Sequence, residues 1–91
     1  MAKINKPVLD LMATGLNIKS LRKRAGISVR TLQEIFCFPS PQAIYNWESG
    51  KNMPSVDNLI VLSEIFGCTM ENIIKTYDIE VEVEAGLIDV A

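Results

Sequence analysis

Through the middle of this chain apolar residues recur at intervals of three and four, the repeat of helices with one buried face, and helix-ending residues separate the runs. Ile18, Leu21 and Ala25 form the first clear stripe, with Asn17 as a candidate N-cap and Gly26 as a stop. A second helix runs from Val29 to about Phe38 behind the cap Ser28, with Leu32, Ile35 and Phe36 inward. Pro39 drives the residue before it out of helical geometry, so the chain turns over Phe38 to Ser40. It restarts with Ser40 as N-cap and Pro41 at the first helical position, where a missing N–H costs nothing. This third helix places Ala43, Ile44 and Trp47 on an apolar stripe, leaves Gln42, Tyr45 and Asn46 off it, and ends at Gly50. A polar loop, Lys51 to Pro54, leads to Ser55, the cap of a helix from Val56 to Phe66 with Leu59, Leu62, Ile65 and Phe66 inward. Gly67 ends it, and Thr69 caps a last helix whose apolar face is Ile73, Ile74 and Tyr77. Two helices joined by a very short link are the layout of a helix-turn-helix.

The flanks read differently. In residues 1–16 an apolar cluster, Val8, Leu9, Leu11 and Met12, lies between Pro7 and Gly15, which suits a short helix stopped at Gly15 or an ordered arm. In the tail, Ile79, Val81 and Val83 alternate with Glu80, Glu82 and Glu84, the repeat of two that marks a half-buried strand. Ala85-Gly86 is placed to turn such a strand toward Leu87 to Val90. A lone strand needs a partner, either the N-terminal arm or a second protomer; the alternative is a frayed acidic tail. The expected fold class is therefore all-α, a compact five-helix bundle, with an N-terminal arm or short helix over 1–16, the helix-turn-helix unit over 17–77 and a tail over 78–91 that holds a strand or hairpin at most.

Composition changes this picture in two ways. With 48% of its 91 residues hydrophobic, the chain has enough apolar material for one core. No run approaches the roughly 18 apolar residues of a membrane span, so no membrane association and a cytoplasmic location are expected. There is no histidine, and Cys37 and Cys68 stand apart without CxxC spacing, so no metal site is expected and both thiols are expected to be buried. The net charge of −2 conceals an uneven distribution. Lys3 and Lys6 against Asp10 leave residues 1–16 at +1, seven basic against five acidic residues leave 17–76 at +2, and Asp78, Glu80, Glu82, Glu84 and Asp89 give the tail −5. The acidity belongs to the tail.

The run from Ile18 to Tyr77 resembles the phage-repressor and Cro-like (XRE) helix-turn-helix family, also called lambda-repressor-like. The matching stretches are IKSLRKRAGIS, the apolar Leu32 in the first motif helix, IYNWESGKNMPS and VDNLIVLSEIFGCTMENII. Trp47, Glu48, Gly50, Lys51, Pro54 and Ser55 at these spacings are its most specific part. The resemblance implies a five-helix bundle whose second and third helices bind DNA, and an ion pair between Arg22 and Glu48 that ties the first helix to the end of the third. Two places depart from the family pattern. Val29 stands where a phosphate-contacting Gln is usual, and FCFPSP replaces the common Gly-containing turn, with Gln33 where a small Ala is typical.

If the third helix enters a major groove, its N-terminal side chains meet base edges first. Gln42 and Asn46, four residues apart on one face, both suit paired hydrogen bonds to adenine, and both match base-reading places of the family. Tyr45 follows, against a thymine methyl or on the backbone, with Pro41 beside it. Phosphate-contact candidates are Ser28, Arg30, Ser40, Lys51 and Asn52, the serines because helix starts present free N–H groups. Arg22 and Glu48 have a structural role, and Ile44 and Trp47 an anchoring one. Catalysis is not expected, because no nucleophile and base constellation can be assembled, and no cofactor is implied. The expected function is sequence-specific double-stranded DNA binding as a bacterial or phage transcriptional regulator of the repressor type. It would act as a homodimer, since one short helix buries little surface. The alternative is a protein-interaction module, such as an antitoxin or anti-repressor, engaging a protein partner through the acidic tail.

Overall fold

The computed structural model describes residues 1–84 and residue 86. In chain order the elements are β1 (Ala2–Leu9), α1 (Leu11–Arg24), α2 (Val29–Phe36), α3 (Gln42–Glu48), α4 (Val56–Phe66), α5 (Met70–Ile73) and β2 (Thr76–Val83). Five helices occur in the expected order, with different bounds at α1 and α5, but the fold is not all-α: β1 and β2 form a two-stranded antiparallel sheet. The arm supplies the partner that the alternating tail requires, in a register from Ala2 opposite Val83 to Leu9 opposite Thr76. The suggested reversal toward Leu87 to Val90 lies outside the described residues.

Four helices start at a side chain that accepts from the backbone three residues on: Asp10 from Ala13, Ser28 from Thr31, Ser55 from Asn58 and Thr69 from Asn72. Such a cap contributes about 1 kcal/mol, because it satisfies a donor the helix cannot. Asp10 explains why α1 begins at Leu11 and runs through Gly15 and Asn17, instead of starting after an Asn17 cap. Gly15 is no stop; it lies inside the helix, for a reason that involves α3. Thr69 and Asn72 complete a reciprocal capping box, and α5 is then short, so that Tyr77 stands on β2 and not on a helix face.

The core is Ile18, Leu32, Ile44, Trp47, Leu59, Leu62 and Ile73, one or two residues from every helix. Leu21, Phe36, Ile65 and Phe66 pack against it half-buried. Ile35, expected inward, is 46% exposed, and α2 ends two residues earlier than expected. Cys37 takes a left-handed conformation, φ 56°, closes the helix and leaves its thiol exposed, contrary to the burial expected of it. Cys68 is half-buried.

The sheet is fastened to the bundle by polar groups. Buried Thr14 of α1 accepts from the Lys75 N–H at 2.9 Å and donates to the Lys75 carbonyl at 3.3 Å, and the Asp10 N–H donates to that carbonyl at 2.9 Å. Asn17 Nδ2 donates to the Asn72 and Ile73 carbonyls, satisfying the end of α5. Directly opposed residues of an antiparallel pair share a face. One face therefore carries Ala2, Ile4, Lys6 and Val8 with Val83, Val81, Ile79 and Tyr77, and the other carries Lys3, Asn5, Pro7 and Leu9 with Glu82, Glu80, Asp78 and Thr76. The ribbon extends from the bundle and draws the molecule out to 52 × 24 × 23 Å.

Candidate nucleic-acid interface

The link between α2 and α3 is set by side-chain packing more than by its prolines. Cys37 reverses the chain, and Phe38 folds back so that its ring stacks on Phe36 at 5.1 Å and meets Trp47 edge-on at 5.8 Å. Gln33 clamps this turn at both ends. Its carbonyl accepts from the Phe38 N–H at 3.0 Å and its Nε2 donates to the Phe38 carbonyl at 3.3 Å. The glutamine that replaces a small residue thus satisfies the longer turn. The third helix starts at Gln42 with Pro41 at the capping position, and Ser40 gives it only a 3.4 Å contact to the Gln42 N–H. Ser40 is therefore not the full N-cap that its residue type suggests; Pro41 occupies that place and has no side-chain acceptor.

Two surfaces of α3 face inward. Ile44 is 0% exposed and Trp47 4%, which roots the helix in the core. On its other flank, Gly15 of α1 lies against the backbone at the end of α3: a methyl at Gly15 would run into the Trp47 carbonyl oxygen and come within 2.9 Å of that of Glu48. Gly50, with φ 76°, likewise packs on α1, where a methyl would stand 3.0 Å from the Met12 Cα. The recognition-type helix is thus held at both its last turn and its exit by direct backbone approach.

The same crossing carries the ion pair. Arg22 Nε donates to Glu48 Oε2 at 2.7 Å, Nη2 to Oε1 at 3.0 Å, and Nη1 to the Ile27 carbonyl at 3.0 Å. Both side chains are largely buried, 9% and 7% exposed. The Glu48 hydrogen bonds raise the Arg22 guanidinium further above its already very basic value, against the opposing effect of burial. Arg22 therefore keeps its charge throughout the neutral range. Tyr45 borders a shallow depression over this pair together with Leu16, Lys19 and Ser49.

The polar candidates separate into two groups. On the outer face of α3, Gln42 Nε2 donates to Asn46 Oδ1 at 2.8 Å, so the two side chains stand side by side. Tyr45 is 51% exposed on the adjoining strip. Lys51 and Asn52, both exposed, belong to the same neighbourhood, because their N–H groups donate to the Asn46 carbonyl at 2.9 and 3.4 Å. Ser28 and Arg30 stand apart at the start of α2, where their contacts are internal: Ser28 caps Thr31, and Arg30 approaches Glu34 at 3.5 Å. Residue-type reasoning missed Gly15, Thr14 and Asn17, because each resembles a common local signal, a helix stop or a cap, while its partner lies far along the chain.

The helix-turn-helix family model matches residues 18–73. The chain belongs to that family, the XRE type to which phage-repressor and Cro-like proteins belong. It is a family of DNA-binding transcription regulators, generally without enzymatic activity. No curated protein and no solved structure matches the chain. The matched stretch covers α1 from Ile18 through α5 and excludes both strands of the ribbon. Among the described residues no helix is long and apolar enough to cross a membrane, and no cluster of metal-ligating side chains occurs.

Proposed function

We propose that this helix-turn-helix protein binds double-stranded DNA in a sequence-specific manner as a cytoplasmic transcriptional regulator of the repressor type, with α3 in the major groove. The observation that carries the reading is the pairing of Gln42 with Asn46 on the open face of a helix whose opposite face is anchored by Ile44 and Trp47. Two amide side chains at this spacing, on a helix rooted in the core by Ile44 and Trp47, are suited to adenine edges. In complex their mutual hydrogen bond is exchanged for bonds to bases. Tyr45 and Pro41 flank them. Lys51, Asn52 and Ser40 around α3, with Ser28 and Arg30 at the start of α2, contact phosphates and set the register. The functional unit is a homodimer on repeated half-sites, because a helix of seven residues reads only a few base pairs.

Selection of bound sites from random duplex DNA, followed by Gln42→Ala, tests the reading. One preferred site is expected, with a loss of about 1–3 kcal/mol and relaxed preference at a single base pair. Equal affinity for all sequences before and after the change would refute it. The acidic row Asp78, Glu80 and Glu82 along β2 favours a second reading, a protein-interaction module of the antitoxin or anti-repressor kind. It is distinguished by the absence of duplex binding at about 50 mM salt, where phosphate contacts are strongest.

A further inference from the structure

A helix about 10–12 Å across fills a major groove about 12 Å wide, so sugar-phosphate backbones run along both flanks of the helix that enters it. The phosphate contacts assigned above stand at the start of α2, at the start of α3 and in the loop beyond it. None stands on the flank of α3 that faces α1. We propose that Lys19 of α1 contacts a backbone phosphate on that flank, so that the duplex is gripped from the first helix as well as from the helix-turn-helix. The proposal rests on the DNA-binding reading above and adds a contact to the same interface.

Position and charge single out Lys19. It borders, with Leu16, Tyr45 and Ser49, the depression that runs between α1 and the Tyr45 side of α3. The two helices come this near because Gly15 lies directly against the Trp47 and Glu48 carbonyls. Lys19, one turn on from Gly15, lies on the same side of α1, and its long apolar stem can carry the ammonium outward beside Tyr45. The carboxylate that lines the depression is Glu48, and Arg22 occupies both of its oxygens. The Ser49 hydroxyl donates to the Asn46 carbonyl at 3.3 Å. Among the described residues Lys19 has no carboxylate within ion-pair distance, so its charge is left open to an outside anion. The start of α2 is poorer by comparison: Val29 has no polar side chain, and Arg30 approaches Glu34 at 3.5 Å. Lys23 and Arg24, farther along α1, do not border the depression.

Titration of the full chain onto its selected duplex and onto random duplex, repeated at about 50–300 mM salt, tests this. A neutralised phosphate contributes about 0.9 to the slope of log affinity against log salt. Lys19→Gln is therefore expected to flatten the slope by about that amount per bound chain and to weaken binding about five- to tenfold near 100 mM salt, by the same factor on both duplexes. Lys19→Arg keeps the charge and should keep slope and affinity. Lys75→Gln removes an exposed lysine where the ribbon joins the bundle and should alter the slope by less than about 0.3. Replacing single phosphates of the selected duplex by neutral methylphosphonates should find one position that costs wild type affinity and costs Lys19→Gln nothing further. A wild-type slope in Lys19→Gln overturns the contact. So does equal flattening by Lys75→Gln, which would make the effect one of net charge, or a loss confined to the selected duplex, which would make Lys19 a base reader. In each of these cases the wild-type chain still binds DNA and the functional reading stands. A wild-type chain that binds neither duplex overturns that reading, and the contact with it.

Discussion

Gly15 is where α1 meets the backbone of α3, and replacing it with alanine sets two effects of known sign against each other. Inside a helix, alanine is favoured over glycine by about 1 kcal/mol; on an isolated α1 the change would stabilise. In the folded chain the added methyl runs into the Trp47 carbonyl oxygen and lies 2.9 Å from that of Glu48, against an ordinary carbon–oxygen approach of about 3.3 Å or more. Both obstacles are backbone, so no side chain can swing aside. Relief requires α3 to retreat as a body, taking Ile44 and Trp47 out of their places in the core. Overpacking of this kind costs about 1–3 kcal/mol, with the upper half expected where a helix must move. After subtraction of the propensity gain, Gly15→Ala should lose about 1–2 kcal/mol, or roughly 4–16 °C in melting temperature for a chain of this size. Thermal and urea unfolding followed by circular dichroism measure it. Lys19→Ala, at an exposed position of the same helix, is the control and should stay within about 0.5 kcal/mol. A Gly15→Ala chain as stable as wild type, or more stable, would show that propensity governs the site and that the helices do not meet there.

Glu48→Ala strands the Arg22 guanidinium in a site where its side chain is 9% exposed, and should cost about 3–5 kcal/mol in urea unfolding; a loss below about 1 kcal/mol would place the pair among ordinary surface ion pairs. Thr14→Val keeps the shape but removes the hydroxyl that serves Lys75 from both sides, and should cost about 1–3 kcal/mol, since the Lys75 N–H loses its acceptor. Thr14→Ser should recover most of that loss, and amide exchange at β1 and β2 should accelerate in the valine variant but not in the serine one. Unchanged exchange in Thr14→Val would mean that the ribbon is not held to the bundle through this residue.

What was legible in the sequence and what was not divides along the range of the interactions. Helix starts at Ser28, Ser55 and Thr69 follow from a side chain and a backbone donor three residues apart, so the residues carry their own signal. The alternation of Ile79, Val81 and Val83 with glutamates likewise announces a strand. Its partner is a different matter, because β1 lies some seventy residues away and contains Pro7, Lys3 and Lys6, residues with little strand preference. Only the register explains them: Lys3 stands opposite Glu82 and reaches Glu80 at 3.3 Å, and Pro7 sits in an edge strand, where a missing N–H is tolerated. The candidate site divides in the same way. Gln42 and Asn46 are adjacent by helical spacing alone, and Gln33, which departs from the family pattern, closes a turn only five residues long, whereas Gly15 is misread by local rules because it is selected across the fold by the carbonyls at the end of α3. At both positions the residue that breaks the local pattern fixes the aim of α3. The direction in which Gln42 and Asn46 point is therefore set by α1 and by the Phe36–Phe38–Trp47 packing, and a substitution that leaves the polar face untouched but releases either support should weaken specificity as surely as removal of an amide.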